Sequence, residues 1–268
     1  MKHIVLFSGG ASSYVAAKRV LAAQPKGDVI LLFNDTLSED WDLYRFLLDA
    51  ERKLDHAVTR NCEGRDIWRV FKDERMLGFS RVDPCSRILK RRQGDKFISQ
   101  FTPDECVIYA GYQWTEGHRA EKFRAALAPY QCAFPLMERP LLDSCDIQAE
   151  VKADGIEIPR LYSMGFAHNN CGGFCIKAGI SHFVHLYRVW PERYREFEAK
   201  EQEVRDHIGR QDVAVLRDRR GGESKPMTLR DLRERIEAGD ESLPKYDFGG
   251  CGCYLGDAVE VDAEGGEA

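Results

Sequence analysis

The stretch that most constrains this chain is residues 3–17, where an apolar run, a glycine turn and a helix-forming segment follow one another. Ile4–Phe7 is typical of a short buried strand, and Ser8-Gly9-Gly10 interrupts it. Ser12–Leu21 then has helical composition. Such an arrangement presents backbone N–H groups and the positive end of a helix dipole to an anion. The stretch therefore predicts either a phosphate-binding loop or an ordinary strand-to-helix turn.

The next segments predict a parallel sheet. Asp28–Thr36 has the composition of a second buried strand, and Trp41–Leu54 has the apolar spacing of a helix. Strand, helix and strand in this order imply a right-handed βαβ unit, whose ligands bind at the carboxyl ends of the strands. Phe33, Asp35 and Thr36 lie at such an end. Asp35 alone fits a helix-entry residue as well as a ligand.

Later in the chain, Glu105–Tyr112 predicts a further strand that runs into Gly111. Ile67–Phe79 has a mixed composition that predicts a helix. Asp83-Pro84 predicts the start of another helix, because proline is favoured in the first turn. Cys85 would then lie near a helix N-terminus, where a thiol has a lowered pKa. This position suits a metal ligand or a reactive thiolate, and the alternative is a buried packing residue.

Composition excludes several classes of protein. The chain has 268 residues, 43% of them hydrophobic and 31% charged, which is ordinary for a globular protein. Its formal net charge of −5 does not indicate a nucleic-acid partner, and the basic clusters at 87–92 and 217–220 fit solvated faces or phosphate contacts. The sequence shows neither a signal peptide nor a membrane-length apolar run, so we expect a cytoplasmic protein.

Residues 8–13, Ser-Gly-Gly-Ala-Ser-Ser, resemble the SGGxDS pyrophosphate loop of the PP-loop ATP pyrophosphatases, the adenine nucleotide α-hydrolase superfamily. The family's usual Asp is Ser12 here. Residues 155–166 resemble the Gly-Ile-Pro, Leu-Tyr and Gly-Tyr motifs of the phosphoadenosine phosphosulfate (PAPS) reductase-like branch, and a cysteine pair follows in place. The resemblance runs from Ser8 to about Lys177.

This resemblance implies an α/β fold with a doubly wound, Rossmann-like (HUP) parallel sheet, helices on both faces and a Cys-rich, mainly helical C-terminal extension. We predict a nucleotide-binding domain over 1–178, a helical extension over 179–255 that ends in a Cys-x-Cys motif, and a disordered acidic tail over 256–268. We expect ATP or PAPS as the nucleotide, with Mg²⁺ commonly required. The implied nucleotide-binding residues are Ser8, Gly9, Gly10, Ser12, Ser13, Phe33, Asp35, Thr36, Gly111, Glu116 and Arg119.

The nine cysteines predict a metal site. Cys171/Cys175 and Cys251/Cys253 are flanked by glycines, and tight turns can bring two sulfurs to one ion or cluster. Spacing alone leaves zinc, an iron–sulfur cluster and unrelated buried cysteines open. In cluster-bearing relatives a cysteine at the position of Cys85 joins the later pair. The resemblance thus favours a [4Fe–4S] cluster on Cys85, Cys171, Cys175 and one of Cys251 and Cys253, with zinc on the two pairs as the alternative.

Two functions follow from the resemblance. The first is an enzyme that uses ATP for adenylylation and sulfur transfer, or in which a cysteine thiolate attacks the sulfur of PAPS or adenosine phosphosulfate. Ser8, Ser12 and Cys253 are then the catalytic candidates, and a sulfur donor or a thioredoxin-like reductant the partner. The second is a catalytically degenerate nucleotide-binding subunit, with structural zinc, in a nucleic-acid-modification or defence assembly. The sequence does not indicate an oligomeric state.

Overall fold

The computed structural model of the chain describes residues 1–79, 82–169, 171–219 and 223–246. Its centre is a five-stranded sheet in the order β3-β2-β1-β4-β5, with every neighbouring pair parallel. This arrangement confirms the predicted parallel α/β sheet. The strands are β1 (Lys2–Leu6), β2 (Val29–Asp35), β3 (Val58–Cys62), β4 (Cys106–Tyr109) and β5 (Gln131–Ala133).

Helices connect these strands and continue beyond the sheet. Those of the first part are α1 (Ala11–Ala23), α2 (Trp41–Leu54), α3 (Ile67–Asp73), α4 (Arg92–Ile98), α5 (Gly117–Ala126), α6 (Ser144–Ala153) and α7 (Arg160–Ser163). The last part contains α8 (Ile180–Val189), α9 (Pro191–Ile208), β6 (Leu216–Asp218), β7 (Lys225–Met227) and α10 (Leu229–Glu237), with β6 and β7 antiparallel. In the described part of the chain, no helix has the length and apolar character needed to cross a bilayer.

The sheet is covered on both faces, as predicted. Val5 of β1 belongs to a core formed with α1, α2 and α6. Its neighbour Ile4 belongs to a second core formed with α4 and α5. Both side chains are fully buried, which explains why the apolar run from Ile4 to Phe7 is continuous rather than alternating.

The C-terminal helices share a third core with the first part of the chain. Trp68 of α3 contacts Phe174 and Phe197, with ring centroids 4.6 and 6.1 Å away. This core joins residues on both sides of position 178. The proposed domain limits therefore stay predictions, and the predicted tail over 256–268 lies outside the described residues.

Two elements differ from the sequence prediction. The helical pattern over 67–79 ends at Asp73, because Arg75 adopts the left-handed conformation with φ of 50°. The helix predicted after Asp83-Pro84 contains a six-residue π-helical segment, Ser86–Arg91, before α4 begins. A π-helical segment is wider than an α-helix and is frequent at functional sites.

Candidate nucleotide-binding site

A cavity of about 460 Å³ opens at the carboxyl ends of β1 and β4. The order of the sheet reverses between these two strands, since β2 lies on one side of β1 and β4 on the other. Ligands of open α/β sheets bind at this switch point. Of the predicted nucleotide-binding residues, the lining includes Ser8, Gly10, Ser12, Ser13, Phe33, Gly111, Glu116 and Arg119.

Two glycines allow the loops at this edge to approach one another. Gly9 has φ of +76°, and a Cβ there would lie 2.9 Å from Cγ of Leu43. A Cβ on Gly111 would lie 2.9 Å from the carbonyl oxygen of Ser12. The end of β4 therefore packs backbone to backbone against the start of α1, which only glycine permits.

The serines of the loop make different hydrogen bonds. The Ser13 hydroxyl donates to the Gly10 carbonyl at 2.8 Å and accepts from the Gly10 N–H at 3.2 Å, which caps α1. The Ser8 hydroxyl donates to that of Ser13 at 3.2 Å. The first turn of α1 contains no acidic residue, so its dipole is not neutralised locally.

Ser12, at the position where the SGGxDS motif has Asp, is joined to a neighbouring loop. The Gln113 amide nitrogen lies 3.4 Å from the Ser12 hydroxyl and 3.1 Å from the hydroxyl of Ser144, the first residue of α6. Trp114 is 50% exposed and lies in the chain between Gln113 and Thr115, which both line the cavity. Neutral hydrogen-bonding groups thus surround the position of Ser12.

Arg119 supplies positive charge to the same cavity. Its guanidinium donates to the Glu116 carboxylate and lies 4.8 Å from the centroid of the Tyr112 ring. Its Nε is buried and has no hydrogen-bond partner in the described part of the chain. A buried donor without an acceptor costs free energy, and Nε of Arg205 in α9 is in the same state. Arg119 therefore contributes to the cavity through its charge.

Lys90 is a second cation in the lining, which the sequence analysis did not single out. Its Nζ lies 3.5 Å from Oε1 of the buried Glu39, which also accepts from the N–H of Cys171 at 2.5 Å. Lys90 lies within the basic cluster 87–92, for which a phosphate contact was one of two interpretations. The structure places Lys90 at the π-helical segment, so its side chain reaches the cavity.

The remaining predicted residues lie behind the lining. The buried Asp35 carboxylate accepts from the Tyr44 hydroxyl at 2.8 Å and from the Leu37 N–H at 2.9 Å. Burial, and then this hydrogen bond, raise the pKa of Tyr44. The Thr36 hydroxyl donates to Glu39 at 3.0 Å. Asp35, Thr36 and Gly9 thus shape the loops, and their direct contact with a nucleotide stays a prediction.

The cysteines predicted to bind metal are only in part within the described residues. Cys85 is buried in the third core, against which Cys175 also packs, and Cys171 lies in a left-handed turn with φ of 47°. Within the described ranges, no three His, Cys, Asp or Glu side chains form a group that could hold a metal ion. These donors therefore do not by themselves fit a cluster. Cys251 and Cys253 lie outside the described residues, so the cluster, its zinc alternative and the catalytic role of Cys253 stay predictions.

The fold and the cavity define a parallel α/β protein with a site at the switch point of its sheet. No protein-family model and no curated protein matches the chain. Among solved structures, phosphoadenylyl-sulfate (PAPS) reductase from Candida auris, in a phosphate complex, is similar to it with a TM-score of 0.45 and 11% sequence identity. The similarity covers 63% of this chain and 81% of that one.

Proposed function

We propose that this chain is an adenine-nucleotide-binding enzyme of the PAPS reductase-like type. It acts either on ATP, with release of pyrophosphate and transfer of sulfur, or on PAPS or adenosine phosphosulfate. The observation that carries the proposal is the glycine turn at residues 8–13. Its sequence resembles a pyrophosphate loop, and it lines a cavity at the switch point of the sheet.

Each part of the lining has a role in this proposal. The phosphate or sulfate groups lie against the start of α1, where the helix dipole and the Ser8 and Ser12 hydroxyls favour an anion. Lys90 and Arg119 balance the charge. Phe33 contributes an apolar wall for the adenosine. Catalysis by such a site consists of positioning and charge neutralisation.

A metal centre is not a premise of this proposal. Because the described donors do not form a three-residue group, no step is assigned to a cluster. Iron, zinc and sulfide analysis of protein purified without oxygen tests the predicted centre independently. Cys171→Ser and Cys175→Ser should remove any metal found, and Cys85→Ser should remove it only if the centre is the iron–sulfur cluster.

The second candidate, a catalytically degenerate nucleotide-binding subunit, is favoured by one observation. Ser12 replaces the family's Asp and is hydrogen-bonded to the neutral Gln113. Such a subunit would bind nucleotide without turning it over. The two candidates thus differ in activity and agree on binding.

Calorimetric titration with ATP, PAPS and AMP tests binding, and release of pyrophosphate from ATP or of sulfite from PAPS tests activity. We expect micromolar or tighter binding of at least one nucleotide, together with turnover. Binding without turnover would favour the degenerate subunit. If none of the three binds to the folded protein, both candidates are wrong.

A further inference from the structure

Two histidines of α8 hold the two ends of one loop of the cavity. His185 Nε2 lies 2.7 Å from the carbonyl oxygen of Met164, and His182 Nε2 lies 2.8 Å from that of Gly173. A carbonyl only accepts, so each ring must carry its proton on Nε2. Burial lowers the pKa of His182, which keeps this ring neutral at pH 7 with a single N–H.

The packing around these rings leaves little freedom. Phe166 lies between the histidines, with ring centroids 5.2 Å from His182 and 4.8 Å from His185. Gly165 has φ of +87°, and a Cβ there would lie 3.1 Å from the His185 ring. At the start of the loop, the left-handed backbone of Gly165 and the absence of a Cβ therefore leave room for the His185 ring.

The loop held in this way is part of the candidate site. Ala167, His168 and Asn169 line the cavity. The buried Asn169 also donates through Nδ2 to the carbonyl of Gly9 at 3.3 Å. Contacts thus join α8 to Met164 and Gly173, and Asn169 of the same loop contacts the glycine turn beside the cavity.

We propose that His182 and His185 are positioning residues of the nucleotide site, which fix the loop residues 164–169 and 171–173 against the glycine turn through their Nε2–H groups. The inference rests on the proposed function. Without these two donors, the loop would have to be ordered by the nucleotide itself, and the cost of that ordering would appear as weaker binding. The helices beyond position 178 therefore contribute to affinity although they do not line the cavity.

The test compares variants that keep or remove the donor. His182→Leu and His185→Leu remove the Nε2–H donor and keep a side chain of similar volume. His182→Gln and His185→Gln place an amide nitrogen near the Nε2 position and so keep a donor. We expect each leucine variant to lower the affinity for ATP or PAPS, whichever the wild-type protein binds, by about fivefold, the value of one hydrogen bond. The glutamine variants should stay within about twofold of wild type.

Tyr187→Phe is the matched control. It removes a 2.7 Å hydrogen bond from the same helix to Glu237, away from the loop, and should leave affinity unchanged. Hydrogen exchange of the amides over 166–173, measured without nucleotide, should accelerate in the leucine variants and not in this control. If the leucine variants do not fold, Gly165→Ala, which displaces the same His185 contact, should give the loss of affinity instead.

The outcomes separate the two proposals. A folded wild-type protein that binds none of the nucleotides contradicts the proposed function. A wild-type protein that binds, with leucine variants that bind equally well, overturns only the positioning role. Glutamine variants that lose as much affinity as leucine variants would also overturn it, because the donor would then not be the cause.

Discussion

The cavity edge of the sheet and the C-terminal helical part use their charged side chains in different ways. In the C-terminal part, the carboxylate of Glu201, which is 1% exposed, accepts from the N–H groups of Val215 at 2.8 Å and Leu229 at 2.6 Å. At the cavity, the cationic side chains of Lys90 and Arg119 belong to the lining. One region uses a buried carboxylate to hold its own backbone, and the other places positive charge beside a cavity. Substitutions in the first should change stability, and substitutions in the second should change binding.

The largest expected effect is on stability. Glu201→Ala leaves the N–H groups of Val215 and Leu229 without their acceptor inside the core. We expect it to lower the free energy of unfolding by about 4 kcal/mol, since each buried unsatisfied group costs roughly 1–3 kcal/mol. Urea denaturation measures this loss, and Glu203→Ala on the exposed face of α9 is the control. A loss no larger than in the control would contradict the contrast between the regions.

Stability should also depend on pH through Glu201. Burial raises the pKa of its carboxyl from 4.5 to about 7. Its contribution to stability is therefore fully present below pH 4.5 and is lost as the pH rises through 7. Relative to Glu201→Gln, wild-type protein should lose roughly 2 kcal/mol of unfolding free energy between pH 5 and pH 8. Urea denaturation of both proteins at the two pH values measures the free energy of unfolding and so checks the sign of this change. A difference between the two proteins that stays constant with pH would contradict the prediction.

The next effect is on binding. Gly111→Ala places a methyl group 2.9 Å from the Ser12 carbonyl and so separates β4 from the start of α1. We expect nucleotide affinity to fall at least tenfold, or by about 1.4 kcal/mol. Gly27→Ala is the control, because a Cβ there meets no atom within 4 Å. Calorimetric titration with nucleotide measures the affinity of both variants. Equal affinities would show that the close approach of Gly111 to Ser12 does not shape the site.

The smallest expected effect concerns Mg²⁺. Ser12→Asp introduces the carboxylate of the SGGxDS motif beside Gln113. Because a carboxylate binds Mg²⁺ and a serine hydroxyl does so poorly, the variant should show a Mg²⁺ dependence of ATP binding that is a few-fold steeper than in wild type. Ser12→Asn is the control, because asparagine has nearly the same size as aspartate but carries no charge. Identical Mg²⁺ titrations of all three proteins would contradict the neutral character proposed for this position.

Local sequence signals were sufficient for much of the fold. The range predicted for α2 agrees with the structure, since Asp40 caps the helix by accepting from the N–H of Asp42. The sequence predicts Gly111 at the end of a strand, and it lies against Ser12 because parallel strands end at one edge of the sheet.

Contacts between distant segments could not be predicted in this way. Lys90 reaches the cavity through a π-helical segment, for which the sequence has no clear signal. The strand pattern placed Asp35 at the correct edge, but the direction of its side chain depends on Tyr44, nine residues later. His182 and His185 match no motif, because their partners are backbone carbonyls that the fold brings near.

The positions of two tryptophans have an optical consequence. Trp114 is half exposed beside the cavity, whereas Trp68 is packed among the rings of Phe174 and Phe197 in the C-terminal core. Indole emission shifts with the polarity of its surroundings, so nucleotide entry should alter the emission of Trp114 and leave that of Trp68 unchanged. Trp114→Phe and Trp68→Phe would separate the two signals. Intrinsic fluorescence can then report occupancy of the site and melting of the core in one sample, without an attached dye.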